Sequence, residues 1–266
     1  MVPEWVPLPS GFGVEIRGLS PADMLAGREQ VFRDAFAQHH MVLLRNCKLD
    51  EDQQVRLTEL LGDVSHASPN MKDGKKFSYV SNVLPEGTLR DGELLFHSDF
   101  MFMPRPLTAI ALYAIEVPKK GGETLFADAG LALQRLPGDL RRRIDSLQAR
   151  HIANYKAFDG GGRPKYDPNA RKQFVHVHPL VWTHPESGQE VLFASRLLTE
   201  SVMDLPAEEG EALLQELFGY IEDSAHQYAH AWRPGDYLVW DNRWLQHARR
   251  DFDPGERRSM RRVPIE

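Results

Sequence analysis

From residue 94 to the C-terminus the chain is a series of short apolar runs set between polar turns: "ELLFHSDF", "TAIALYAIEV", "ETLFAD", "FVHVHPLVWTH", "EVLFA", "DYLVWDN" and "RSMRRVPI". Runs of this length, bounded by Gly, Pro, Asp and Asn, read as strands. So many in succession predict an antiparallel barrel or sandwich. Ahead of them the periodicity is helical. Residues 21 to 39, "PADMLAGREQVFRDAFAQH", follow Ser20 as N-cap, place Pro21 at the first helical position and repeat apolar residues at helical spacing. "DEDQQVRLTELLG" predicts a second helix, with the strands "MVLLRN" and "KFSYVSNV" on either side of it. Two helical stretches interrupt the strands, one at about 128–148 and one from 207, where Leu213, Leu214, Leu217, Phe218 and Ile221 form a single core-facing stripe. Between them "NYKAFDGGGRPKYDPNARKQ" reads as a long loop, a candidate lid at 154–173. With no repeat, low-complexity tract or linker, the pattern predicts one domain over 1–266 with a helical and loop insertion at about 128–172. The fold class is mainly β with flanking helices.

Composition narrows the partners. Hydrophobic residues make up 42% of 266, ample for a core, and the formal net charge of −6 gives no general attraction to nucleic acid or acidic membranes. Any anion site must therefore be local. Cys47 is the single cysteine, so neither an internal disulfide nor a thiolate metal cluster can form. That, and an N-terminus without a basic and then apolar leader, predicts a cytoplasmic protein with no membrane span. Homo-oligomerisation stays open.

Within the first late run, "FHSDF" sets His97 and Asp99 two positions apart among apolar neighbours. In an extended chain these side chains share a face and can grip one ion, and a buried carboxylate must be paired or metal-bound to offset its desolvation. A hydrogen-bonded core pair explains the same triplet equally well. Near the C-terminus "GDYLVWDNRWLQHARR" offers His247 as a third ligand. Two imidazoles and one carboxylate form the facial triad of non-haem Fe(II) oxygenases, which leaves positions open for cosubstrate and O2. A closed zinc site would need a fourth protein ligand.

Taken in order, "FHSDF", "PKKGGETLFAD", "WDNRWLQH" and "RRSMRRV" resemble the taurine/2,4-dichlorophenoxyacetate dioxygenase family of Fe(II)- and 2-oxoglutarate-dependent oxygenases, from about residue 12 to the C-terminus. The resemblance implies a double-stranded β-helix, or jelly-roll, core with helices outside. It also implies His97, Asp99 and His247 as iron ligands, and Thr124 and Arg258 as holders of the distal carboxylate of 2-oxoglutarate. The implied activity is a 2-oxoglutarate-dependent dioxygenase using Fe(II) and O2, releasing succinate and CO2. Hydroxylation is the default outcome, with desaturation and ring closure as alternatives. Arg262 matches a position that grips an anionic prime substrate in one branch, and His66 matches a substrate-contacting histidine there. Trp240, Asp241 and Asn242 are implied in local structure behind the ligands. Strand alternation places Arg258 and Arg262 on one face; strict alternation from Asp99 aims Met101 and Met103 inward, a broken register aims Phe100 and Phe102 there instead, and either pair supplies an apolar wall. The expected partner is a small-molecule carboxylate with an apolar or aromatic body.

Three rival readings use the same residues. His176 and His178 share a strand face, and with His184 could form a separate zinc site. Six arginines between 249 and 262 could bind nucleic acid, although Asp251, Asp253 and Glu256 interleave with them. A metal-binding barrel without catalysis is the third.

Overall fold

The computed structural model describes residues 2–66, 71, 74–89, 91–153, 165–167 and 173–266. The chain opens with β1 (Glu4–Pro7) and β2 (Val14–Arg17), then α1 (Pro21–Asp23), α2 (Glu29–His39), β3 (Met41–Leu44) and α3 (Glu51–Thr58). There follow β4 (Ser78–Ser81), β5 (Leu94–His97), β6 (Ala109–Glu116), β7 (Thr124–Asp128), α4 (Ala129–Gln134) and α5 (Gly138–Ile144). The remainder is β8 (Gln148–Ile152), β9 (Val175–Pro179), β10 (Val181–Thr183), β11 (Glu190–Leu192), β12 (Thr199–Val202), α6 (Ala207–Ile221), β13 (Gln227–His230), β14 (Tyr237–Asp241), β15 (Leu245–Arg249) and β16 (Ser259–Ile265).

Ser20 and Asp23 form a reciprocal capping box with Pro21 inside it, as the sequence signals predict. The predicted helix over 21–39 is nevertheless broken: Gly27 takes φ +108° and Ala26 leaves helical geometry, so a π-helical turn at Met24–Arg28 separates α1 from α2. Apolar spacing continues across the break, which hides it from a periodicity reading. The predicted helical stretch at 128–148 resolves into the short α4 and α5, and the stretch then enters a strand, β8, rather than a loop. Most of the expected lid, 154–164 and 168–172, lies outside the described residues.

Two sheets form the core. The larger runs β1-β2-β3-β14-β6-β16-β4 and the smaller β13-β7-β15-β5, with β12-β8-β9 and the β10-β11 hairpin beside them. The two sheets close over one apolar cluster that holds Met41, Leu43, Leu112, Leu238, Trp240 and Met260 from the larger and Phe126 and Leu245 from the smaller. This is the double-stranded β-helix. Alternate residues of the same strands, Val42, Leu44, Tyr237 and Val239, turn outward under α2 and α3. Ala127, Ala248 and Phe96 do likewise under α4, α5 and α6. Sheets buried on both faces need near-continuous apolar strands, and that is why the runs were so legible. Each fully buried large side chain contributes roughly 1.5–3 kcal/mol. Among the described residues no helix is long and apolar enough to cross a membrane.

Candidate active site

His97 is the last residue of β5 and pairs directly with His247 of β15, so antiparallel register brings the two imidazoles together with ring centroids 4.2 Å apart. Asp99 arrives differently from the expected strand alternation. The strand ends at His97, and a turn follows in which Phe100 adopts φ +64°. Asn242 fixes that turn by accepting the Asp99 N–H at 2.7 Å and donating to the carbonyls of Asp99 and Leu107, each at 2.9 Å. One ligand atom from each of His97, Asp99 and His247 lies within 4.8 Å of the others, the one such group of three among the described residues.

The protons are arranged for a cation. His97 Nδ1 lies 2.8 Å from the Leu95 carbonyl, which can only accept, so Nδ1 carries the hydrogen. The other nitrogen, Nε2, then faces Asp99 Oδ1 at 3.3 Å. Two lone pairs that close repel unless a proton or a metal ion sits between them. Burial pushes the His247 imidazole down to about 3, so it is neutral and able to donate a lone pair. Its Nδ1 is buried without a hydrogen-bond partner among the described residues. Burial would raise the Asp99 carboxyl, but the Arg262 charge outweighs it and holds the group well below the usual carboxylate range. An N, N, O donor set in which the His97 tautomer is fixed and the carboxylate is ionised fits a divalent ion such as Fe(II).

Deeper in the barrel, Arg258 is 2% exposed and pairs with no carboxylate among the described residues. Its Nε makes one long contact, 3.4 Å to the Gly122 carbonyl. Burial, then the nearby Arg249 charge, pushes it down to about 9. A buried, nearly unpartnered guanidinium invites an anion. Gly122 stands beside it because a Cβ there would meet Arg258 at 3.4 Å and Pro118 at 2.8 Å, at φ +69°. Two residues on, the Thr124 hydroxyl accepts from Trp232 Nε1 at 2.9 Å, which leaves its own hydrogen to donate.

The substrate-side residues separate. Arg262 does reach the site, but its Nη2 donates to Asp99 Oδ2 at 2.6 Å, so its acid partner is the candidate ligand and not Asp251 or Asp253. Phe100 lines a cavity of about 780 Å³ together with Met103, Leu107, Trp182, Arg105 and Arg243; this cavity adjoins the turn after Asp99, and neither the three candidate ligands nor Arg262 belongs to its lining. Met101 does not: it is fully buried in the barrel core, because the turn after Asp99 cancels the alternation that aimed it at the site. His66 is exposed and outside the cavity lining, and only its neighbour Ser65 reaches it.

The rival zinc site does not assemble. His178 Nε2 is taken by the Met103 carbonyl at 2.9 Å, and His184 Nε2 by Asp241 at 2.9 Å. The arginine cluster is used internally as well. Arg257 pairs with Glu116, Arg261 bonds Gln54 and the Leu49 and Asp50 carbonyls, and Arg249 bonds three carbonyls. Sequence reasoning missed two groups: Arg249, which shares a strand with His247, and the buried set His40, His184 and Arg243 around Asp241. The adjacency of Asp241 to Asn242 was the available signal.

The chain has relatives among known proteins. Residues 4–263 match the family model described as "Taurine catabolism dioxygenase TauD, TfdA family". Pentalenolactone F synthase of Streptomyces avermitilis is 34% identical over 220 residues, covering 76% of this chain and 71% of that protein. The (S)-phenoxypropionate/alpha-ketoglutarate-dioxygenase of Sphingobium herbicidovorans is 29% identical over 272 residues, covering 96% and 91%. Among solved structures, AAD-2 in complex with Mn(II) and N-oxalylglycine superposes with a TM-score of 0.83 at 25% identity, covering 100% of this chain and 97% of that one.

Proposed function

The chain belongs to the TauD, TfdA dioxygenase family, and from that premise we propose that His97, Asp99 and His247 hold Fe(II), that Thr124 and Arg258 hold 2-oxoglutarate, and that the enzyme hydroxylates an organic acid with an apolar or aromatic body. As a family member it is a 2-oxoglutarate-dependent dioxygenase. The observation that carries the residue assignment is the pairing of a convergent donor set with a buried arginine that has no acid of its own.

When bound, ferrous iron supplies O2 activation coupled to decarboxylation of the cosubstrate, with succinate and CO2 as co-products. The chain supplies order. Arg262 occupies Asp99 Oδ2, which leaves Oδ1 to face the ion, and Asn242 holds the turn that carries Asp99. Arg258 takes the distal carboxylate through parallel N–H bonds, and the Thr124 hydroxyl donates beside it. Trp240 and Phe126, both buried against the His247 side, exclude water.

The substrate assignment is supported by the Phe100, Met103 and Trp182 wall and by the family relative that acts on (S)-phenoxypropionate. Arg262 is its anion anchor, with exposed Arg105 on the cavity wall as the alternative. Succinate formation should require Fe(II) and 2-oxoglutarate and rise more with aryloxyalkanoates than with small sulfonates. No stimulation by any acid in the panel defeats the substrate reading. For the anchor, Arg262→Met should lose more activity on the best acid than on its methyl ester. Equal losses would confine Arg262 to Asp99 and move the anchor to Arg105.

A further inference from the structure

Arg249 ends β15 two residues beyond His247 and lies opposite Thr124 of β7. It is 4% exposed, yet its guanidinium meets no carboxylate among the described residues. Instead it donates to the carbonyls of Leu89 at 2.5 Å, Asp91 at 2.6 Å and Gly92 at 2.7 Å, with Nε also on Gly92 at 3.1 Å. A buried arginine held by three neutral carbonyls of one short segment is a clasp. It is hard to replace, because only the planar five-donor fork reaches all three at once.

The connection that leads from β4 to the clasped residues passes beside Arg258. Asn82 at its start exchanges backbone and side-chain bonds with Arg258, with Asn82 N–H donating to the Arg258 carbonyl at 3.1 Å and the Arg258 N–H donating to Asn82 Oδ1 at 2.8 Å. Leu89 packs against the inner core cluster and keeps φ +52°, a left-handed backbone that a leucine retains only where its surroundings impose it. The two guanidinium carbons of Arg249 and Arg258 lie 5.6 and 5.9 Å from the same Phe252 ring. Arg249 thus sets a second positive charge near Arg258 and holds the carbonyls of a connection that is itself bonded to Arg258 through Asn82.

We propose that Arg249 is a positioning residue for the cosubstrate: it clasps the segment bearing Leu89, Asp91 and Gly92 in the connection beside Arg258, so that the anion binds in an ordered, doubly positive environment. This rests on the reading that Arg258 receives 2-oxoglutarate. Arg249→Lys separates the two contributions, since it keeps the charge and gives up the three-carbonyl grip.

The test uses the full chain loaded with Fe(II) under argon. Calorimetric titration with 2-oxoglutarate should show Arg249→Lys binding at least tenfold more weakly, with Fe(II) affinity unchanged. In turnover the KM for 2-oxoglutarate should rise by a similar factor while kcat at saturation changes less than twofold. Hydrogen exchange without cosubstrate should be faster in the peptide carrying Leu89, Asp91 and Gly92 and unchanged in β7 and β16. Wild-type affinity in the lysine variant, or a fall in kcat with KM unmoved, overturns the proposal. Should the variant fail to fold, the wild-type protein decides. Adding 2-oxoglutarate must slow exchange in that same peptide, and no slowing sinks the clasp. If the wild type binds 2-oxoglutarate and Arg258→Ala binds it equally well, the parent reading fails and this one with it. A loss in Arg258→Ala without a loss in Arg249→Lys removes the clasp alone.

Discussion

Two clusters in this barrel contain the same groups, two histidines, one aspartate and one arginine, and they behave as opposites. In the first, His97, His247 and Arg262 surround Asp99. In the second, His40, His184 and Arg243 surround Asp241. The distinction comes down to one proton. His184 Nδ1 accepts from the Ser187 N–H at 3.3 Å, so its Nε2 carries hydrogen and donates to Asp241 at 2.9 Å. His97 has the reverse tautomer, because its Nδ1 faces a carbonyl, and its bare Nε2 stands 3.3 Å from Asp99. The Asp241 cluster is closed, with His40 stacked on Trp244 at 4.4 Å and Arg243 bonded to Glu186 at 2.6 Å. The Asp99 cluster instead leaves the His97 Nε2 lone pair facing Asp99 Oδ1. For His97 and His184 the partner of the rear nitrogen decides whether the front nitrogen offers a lone pair or a proton.

Reciprocal substitutions break this comparison most forcefully. Asp99→Ala should abolish iron binding and turnover, a larger loss than the roughly 10- to 100-fold expected for removing an outer partner. His97→Ala and His247→Ala should do the same, and all three should remain folded. Asp241→Ala should retain an iron site but lose stability, because it strands the donors of His184 and Arg243. Breaking a buried pair costs about 3–5 kcal/mol, which lowers Tm by roughly 6–20 °C in a chain of this size. Metal titration and thermal unfolding read the two effects separately. A folded Asp99→Ala protein with full activity, or an Asp241→Ala protein with unchanged Tm, dissolves the distinction.

The same contrast explains what could be read from the chain in advance. The strands were legible because both faces of each sheet are buried and the runs are nearly all apolar. The register joining His97 to His247 follows from β5 lying beside β15, which no local pattern encodes. Alternation failed at Asp99, since a turn and not a strand delivers it, and Met101 went to the core for the same reason. Arg262 was placed at the site by its spacing from Arg258, yet its bond to Asp99 spans 163 positions and was invisible. The Asp241 cluster is drawn from three distant segments, so only its central "WDN" was apparent.

Arg258 sharpens the comparison from another side, as a buried cation that pairs with no carboxylate among the described residues. Arg258→Ala should weaken 2-oxoglutarate binding by about 1.5–3 kcal/mol, roughly ten- to a hundredfold, with Fe(II) affinity preserved. Thr124→Ala should cost less, since it removes one neutral donor and leaves Trp232 without its acceptor. Isothermal titration of each variant checks the order. Undiminished binding in Arg258→Ala would place the clamp on another arginine.

A third group of histidines has no carboxylate at all, and it yields the smallest expected effect. His151 is fully buried against His178, with ring centroids 5.7 Å apart; its Nδ1 meets Thr199 at 3.0 Å and its Nε2 meets nothing among the described residues. Burial, then the charges of His178 and His176, holds its imidazole well below the ordinary value of 6.5, and His178 is lowered chiefly by burial as well. A histidine depressed in the native state takes up its proton more readily in the unfolded chain. Stability contributed by neutral His151 is therefore complete above pH 6.5 and falls as the pH drops below it, until the native group also titrates. Lowering the pH from 7.5 to 5 should therefore lower Tm through this residue. His151→Gln keeps a donor for Thr199 and cannot titrate, so its Tm should decline less over that interval than the wild-type value. Parallel declines would show that His151 protonates in the native state as easily as in the unfolded chain.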